Sequence, residues 1–136
     1  QMKTLLFLSA LISVQFTHAQ QSGSINKQLK KLERFMSERI PINHSGVNGY
    51  KLTLDGCILA KETLLDRDSH SKSFDLHKAH ITYNHDQVDD ESAEVYGYKD
   101  YWDVDINGDW LHTEILKEKD AQNIVYLLTN LQKGCE

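Results

Sequence analysis

Between Tyr50 and Leu116 the chain changes hydropathy at nearly every second residue, and this spacing constrains the fold more than any other feature. Tyr50, Leu52 and Leu54 alternate with Lys51, Thr53 and Asp55, as a strand with one buried and one wet face requires. Gly56 interrupts the pattern, which predicts a bulge that turns Cys57 inward. A second strand is expected from Ile58 to Leu65, followed by a polar turn over residues 66–72. Phe74 and Leu76 then share a strand face, and after a short reversal Ile81 and Tyr83 continue in the same manner. The acidic run from His85 to Ser92 has nothing to bury and reads as a loop. Val95 to Ile106 is aromatic and β-branched, and Asn107-Gly108 favours a type I′ hairpin turn into a partner strand from Asp109 to Leu116.

Helical spacing flanks this block on both sides. Ile25, Leu29, Leu32, Phe35, Met36 and Ile40 recur at intervals of three and four, predicting a helix over 25–39 that Ser24 can cap and Pro41 ends. Asn43 to Asn48 is a loop, and its Asn43-His44-Ser45 is a glycosylation sequon only in a eukaryotic host. A closing helix is expected from a cap at Asp120, with Ala121, Ile124, Val125, Leu128 and Leu131 on one face and Gly134 as its stop. The expected fold is therefore α+β: an N-terminal helix, a curved antiparallel sheet, and a C-terminal helix packed on that sheet.

Residues 2–19, MKTLLFLSALISVQFTHA, combine a basic Lys3, an apolar stretch from Leu5 to Phe16, and the small residues Thr17 and Ala19. That is the build of a cleavable export signal. Gln1 is set aside, and Gln20 in place of a cysteine gives no sign of a lipid anchor. The apolar stretch falls short of the roughly 20 residues that span a bilayer, so no membrane insertion is expected after cleavage. Residues 20–136 are expected to form a single domain, periplasmic or extracellular. Loss of Lys3 takes the formal net charge from −5 to −6. This acidic balance, without a basic stripe, argues against a nucleic-acid partner. The one basic cluster, Lys27, Lys30, Lys31 and Arg34, reads as a solvated helix face beside an apolar stripe.

Export would place Cys57 and Cys135 in an oxidising compartment, where one bridge between them is expected. Two buried free thiols are the alternative, and a reactive thiol would need a neighbouring His, Cys or basic group that neither position has. The strongest local motif is Asp103 to Glu114, which satisfies D-x-[DN]-x-[DN]-G-x5-E. As a calcium loop, Asp103, Asp105, Asn107, Asp109 and Glu114 would offer hard oxygen ligands. As a hairpin, Asp103 and Asp105 would simply lie on a solvent face, and the strand-like flanks favour this reading. His77 and His80, three residues apart, face opposite ways on an extended strand and cannot share an ion. Nucleophile-elbow, dinucleotide, phosphate-loop and zinc-protease motifs do not occur, so neither catalytic residues nor a cofactor are assigned. Trp102, Trp110, Tyr96, Tyr98 and Tyr101 read as core and cross-strand pairs before they read as a ligand surface.

Cys57 within "DGCIL", the run Phe74-Asp75-Leu76, and Ala121, Leu128, Leu131 and Cys135 of the closing helix together resemble a group of small uncharacterised exported proteins of Bacteroidota. The resemblance spans nearly all of residues 20–136, although Ile58 stands where that pattern commonly has Thr, and Gly134 precedes the last cysteine. It implies the host class and the Cys57–Cys135 bridge, and it transfers no activity. The strand series closed by a helix also resembles a pleckstrin-homology-like half-barrel in architecture alone. The functional expectation is an exported, non-catalytic binding or accessory module for an unknown protein or small ligand. A calcium-binding protein using Asp103 to Glu114 is the alternative, and a small hydrolase built on a carboxylate or histidine is least favoured.

Overall fold

The computed structural model describes residues 23–135, so the export-signal reading of 2–19 falls outside the described residues. Residues 23–37 are helical (α1), with Leu29, Leu32 and Met36 buried as their spacing requires. Ser24 lies within this helix and does not cap it. There follow β1 (Val47–Asp55), β2 (Ile58–Leu65), β3 (Ser69–Asp75), β4 (Ile81–Gln87), α2 (Asp90–Tyr96), β5 (Asp100–Ile106), β6 (Asp109–Ile115) and α3 (Glu118–Cys135). The fold is α+β, with α3 lying against β4, β5 and β6.

The strands form two three-stranded antiparallel sheets, ordered β1-β2-β3 and β4-β5-β6, and not one curved half-barrel sheet. The break falls at residues 76–80. There the Leu76 N–H donates to Cys57 O (2.8 Å), the His77 N–H donates to Asp75 Oδ1 (2.9 Å), and Lys78 sits at φ 52. Local bonds and a left-handed residue turn the chain out of the first sheet before β4 begins. His77 and His80 therefore stand in this connection and not on a strand.

Four further local expectations are corrected. Gly56 and Cys57 form a two-residue hairpin turn, since Asp55 pairs directly with Ile58. Gly56 takes φ 58 at the first turn position, which makes it a turn glycine and not a bulge. The polar turn is shorter than 66–72 because the Leu65 N–H donates to Asp68 O (3.0 Å), and β3 resumes at Ser69. The acidic run carries β4 as far as Gln87 and then the helix α2, so the following strand starts at Asp100 and not at Val95. Asp89 caps α2 by accepting from the Ser92 N–H (2.7 Å), and Gly97 closes it at φ 82. Finally, α3 begins at Glu118 and runs through Gly134 to Cys135. A Cβ on Gly134 would lie 2.9 Å from Ile25 Cγ1, so this glycine permits close approach of α1 and α3 and does not stop the helix.

Helix α1 also covers the free edge of the first sheet. Ser37 Oγ accepts from the Tyr50 N–H (3.0 Å) and donates to Tyr50 O (3.2 Å), while Glu33 Oε2 accepts from the Leu52 N–H (2.8 Å). Side chains of α1 thus satisfy backbone groups that would otherwise offer β1 to another strand. At the opposite corner Cys57 and Cys135 form a disulfide, Cα to Cα 5.2 Å, which ties the β1–β2 turn to the end of α3. Gln132 Nε2 donates to Leu76 O (2.8 Å) and Ala79 O (2.9 Å), fixing the crossing between sheets onto the same helix. One core cluster unites α1, both sheets and α3, and includes Leu32, Leu59, Leu76, Val104 and Leu128.

The bridge closes a span of 78 residues. Replacing both cysteines by serine is expected to lower the unfolding free energy by about 4.5 kcal/mol through restored unfolded-chain entropy. Urea denaturation of the two proteins measures this, and a difference below about 1 kcal/mol would show that the bridge constrains little.

Candidate functional site

Strand register arranges the inner face of the first sheet in transverse rows. Leu54, Leu59 and Phe74 form the row nearest the disulfide, then Leu52, Lys61 and Lys72, then Tyr50, Thr63 and His70. The first row is apolar and enters the core, with Leu59 and Phe74 buried. The next two rows turn basic and polar toward the far end of the strands. Residues 110–113 of β6 and the segment bearing Pro41 and His44 face these rows across a cleft of about 300 Å³.

Lys61 projects from the middle strand into the cleft and donates to Leu111 O, with its ammonium 5.4 Å from the centroid of the Tyr50 ring. Burial, and secondarily the charge of Lys72, lowers its pKa to about 8 against the opposing pull of Asp109. Lys72 stands directly opposite on β3 and, more exposed, pairs with Asp109 at the cleft rim. Among the described residues Lys61 has no carboxylate within ion-pair distance. Tyr50 meets the ring of His112 edge-on at 5.3 Å, and burial pushes its phenol up to about 12. His112 is itself buried and donates from Nε2 to Arg39 O (2.8 Å). Burial outweighs that bond and lowers its pKa to about 4, so the ring is neutral at pH 7. Trp110, 60% exposed, supplies an open aromatic wall.

The residues singled out by the calcium-loop spacing occupy a hairpin and take separate partners. Asn107 and Gly108 make the turn at φ 54 and 79, as the Asn-Gly pair requires. Asp103 Oδ1 accepts from Thr113 Oγ1 and from the Glu114 N–H (3.1 Å), which secures a bulge where Glu114 takes φ 53. Asp105 Oδ2 accepts from Asn84 Nδ2 (2.7 Å), and Asn107 Oδ1 accepts from the His80 N–H (2.9 Å). Asp109 serves Lys72, while Glu114 Oε2 accepts from Tyr98 (2.6 Å) and Asn43 (2.8 Å). Among the described residues, no group of three or more His, Cys, Asp or Glu is arranged to hold a metal ion.

The solvent-face expectation for Asp103 and Asp105 is overturned, because both are buried, 6% and 8% exposed. They lie on the central strand of the second sheet, flanked by Asn84 on β4 and Thr113 on β6, which shield them from both sides. Burial, and then the charge of Asp103, pushes the Asp105 carboxyl upward against the Asn84 bond. The sequence reading did not find Lys61, Lys72 or the cleft. Their signal was the register of β2 and β3, which the overlong turn at 66–72 concealed. Comparison with protein-family models, with curated proteins and with solved structures finds no match to this chain.

Two measurements follow from this geometry. The folded pKa of His112 lies below its unfolded value near 6.5, so the unfolded chain binds the extra proton as pH falls. The corresponding stability is present above pH 6.5 and is lost progressively toward pH 4, about 3 kcal/mol in all. Urea melts across that range should show the loss, and the gap between wild type and His112→Gln should narrow as the pH drops. Separately, millimolar calcium is expected to leave the melting temperature unchanged, and a clear upward shift would revive the loop as a metal site.

Proposed function

We propose that this protein is an exported, non-catalytic binding module, periplasmic or extracellular, that takes a small anion in the cleft between its sheets. The observation that carries the reading is Lys61 directly opposite Lys72, both facing the cleft. Like charges opposed across neighbouring strands destabilise a sheet, and an anion seated between them converts that repulsion into attraction. The chain as a whole has a formal net charge of −5, so this local surplus of cations runs against its general composition. Asp109 holds only the more exposed of the two lysines. Thr63 adds a hydroxyl donor, and Trp110 and Tyr50 add apolar surface for the body of the ligand. The Cys57–Cys135 bridge is compatible with an oxidising compartment, which supports export alongside the character of residues 2–19.

NMR titration with inorganic phosphate and with citrate tests this reading. Saturable shifts are expected in residues 61, 63, 72 and 110, and Lys61→Met or Lys72→Met should weaken binding about tenfold, near 1.4 kcal/mol. Asp109→Asn should strengthen it, because an internal competitor for Lys72 is removed. Affinity should also fall as pH rises through about 8, where Lys61 loses its proton. Shifts that spread evenly over surface lysines without saturating would dispose of the cleft as a binding site.

A further inference from the structure

We infer that Lys61 is a reactive amine, and that the cleft captures small aldehydes or oxo acids bearing an anionic group as imines on its Nζ. The inference rests on the anion-binding reading for the ligand's charged end and adds a covalent bond at the other end. The geometry singles out this lysine. It stands on the middle strand between Leu52 and Lys72, one N–H is committed to Leu111 O, and its amine is held at the wall of a cavity large enough for a small molecule. An amine fixed in this way has lost most of the side-chain freedom that a surface lysine must give up on reacting.

Among the described residues no carboxylate pairs with the Lys61 ammonium, which has only the Leu111 carbonyl and the face of the Tyr50 ring to favour its charge. Tyr50 on β1 and His112 on β6 are both neutral at pH 7, Lys72 on β3 repels, and Asp109 on β6 is engaged by Lys72. His70 on β3 and His44 before β1 line the cleft and bring no negative charge. A lysine that is desolvated and set beside a second cation is the form in which an amine becomes a nucleophile near neutral pH. Lys72 cannot take the same part, because it is exposed and paired.

In the step itself, the free Nζ lone pair forms a bond to the carbonyl carbon, and the C=O π pair moves to oxygen, which takes up a proton. The nitrogen gives up one proton to form the carbinolamine. This then expels its hydroxyl with a proton as water, and loss of the remaining N–H leaves the neutral C=N bond. One carbonyl compound and one amine give one imine and one water, with no oxidant or reductant. The anionic group of the ligand sits toward Lys72, and Trp110 and Tyr50 flank its body. Capture without turnover is what a binding module requires.

The test uses 4-formylbenzoate and its uncharged counterpart benzaldehyde, each with cyanoborohydride, followed by peptide mass mapping of the intact disulfide-bonded protein. At pH 8 a pKa lowered to about 8 gives Lys61 roughly a hundredfold more free amine than an ordinary lysine, partly offset by weaker intrinsic nucleophilicity. Labelling of Lys61 at least tenfold faster than the average lysine is the expected result, and it should rise with pH through the range in which phosphate binding falls. Lys72→Gln should slow labelling of Lys61 by benzaldehyde, a change that does not depend on a Lys61 variant remaining folded. Preferential labelling by both aldehydes, with phosphate protecting against 4-formylbenzoate, supports capture and the anion site together. If both aldehydes label Lys61 but phosphate neither binds nor protects, the imine stands and the anion reading fails. Labelling of Lys61 no faster than that of other lysines overturns the inference, even where phosphate titrates the cleft.

Discussion

The first sheet buries only one of its faces, and the interior of the molecule is assembled against that face. Lys51, Thr53, Ser71 and Ser73 stand exposed on the other side, while Tyr50, Leu52, Leu59 and Phe74 are buried. Because strand side chains alternate, the whole inner set is fixed once register is fixed. The register places a wholly apolar row at the disulfide end and two rows with polar members at the other. The apolar row joins the core, and the rows with polar members meet β6 through Lys61, Lys72 and Tyr50 around the cleft. Core and cleft are consequences of the same alternation, read at opposite ends of the same strands.

The first sheet is fastened at its disulfide end and along its free edge. The Cys57–Cys135 bridge and the two backbone bonds made by Gln132 hold the β1–β2 turn and the sheet-to-sheet crossing onto α3. Glu33 and Ser37 seal the free edge of β1 with side-chain bonds where a further strand would supply backbone ones. On the cleft side, Arg39 pairs with Asp120 (3.0 Å), stacks over Phe35 (3.5 Å to the ring centroid), and offers its carbonyl to His112. One arginine thus joins α1, α3 and β6 beside the cleft, so the cleft wall is held without closing it.

Much of this architecture was legible in the chain. The two flanking helices follow from apolar spacing at Leu29, Leu32 and Met36 and at Ala121, Ile124 and Leu128, and the hairpin at Asn107-Gly108 follows from turn chemistry. Helix α2 was missed because no residue in it is buried, so apolar periodicity gave no signal. Its capping pattern, Asp89 with Ser92 and Gly97 at the far end, was present and could have found it. The division into two sheets was not legible, since it depends on local bonds of Leu76, His77 and Lys78 that no hydropathy pattern encodes. The cleft was hidden for a related reason. Lys61 and Lys72 lie eleven positions apart and meet only if the turn between them occupies residues 66–68.

Two pairs of like charges on neighbouring positions of the sheets differ in their surroundings. Asp103 and Asp105 sit two residues apart on a central strand and receive donors from Thr113, the Glu114 backbone and Asn84. Each acidic position of the motif carries a structural bond, but Asp105 Oδ1 is buried without a partner among the described residues, and burial together with Asp103 pushes that carboxyl upward. Lys61 and Lys72 sit across two strands, and one carboxylate and two carbonyls serve them both. Lys61 and Lys72 differ from the aspartates in opening onto a cleft, and a like-charge pair beside solvent favours an anion that enters, which is the ground for the proposed binding site.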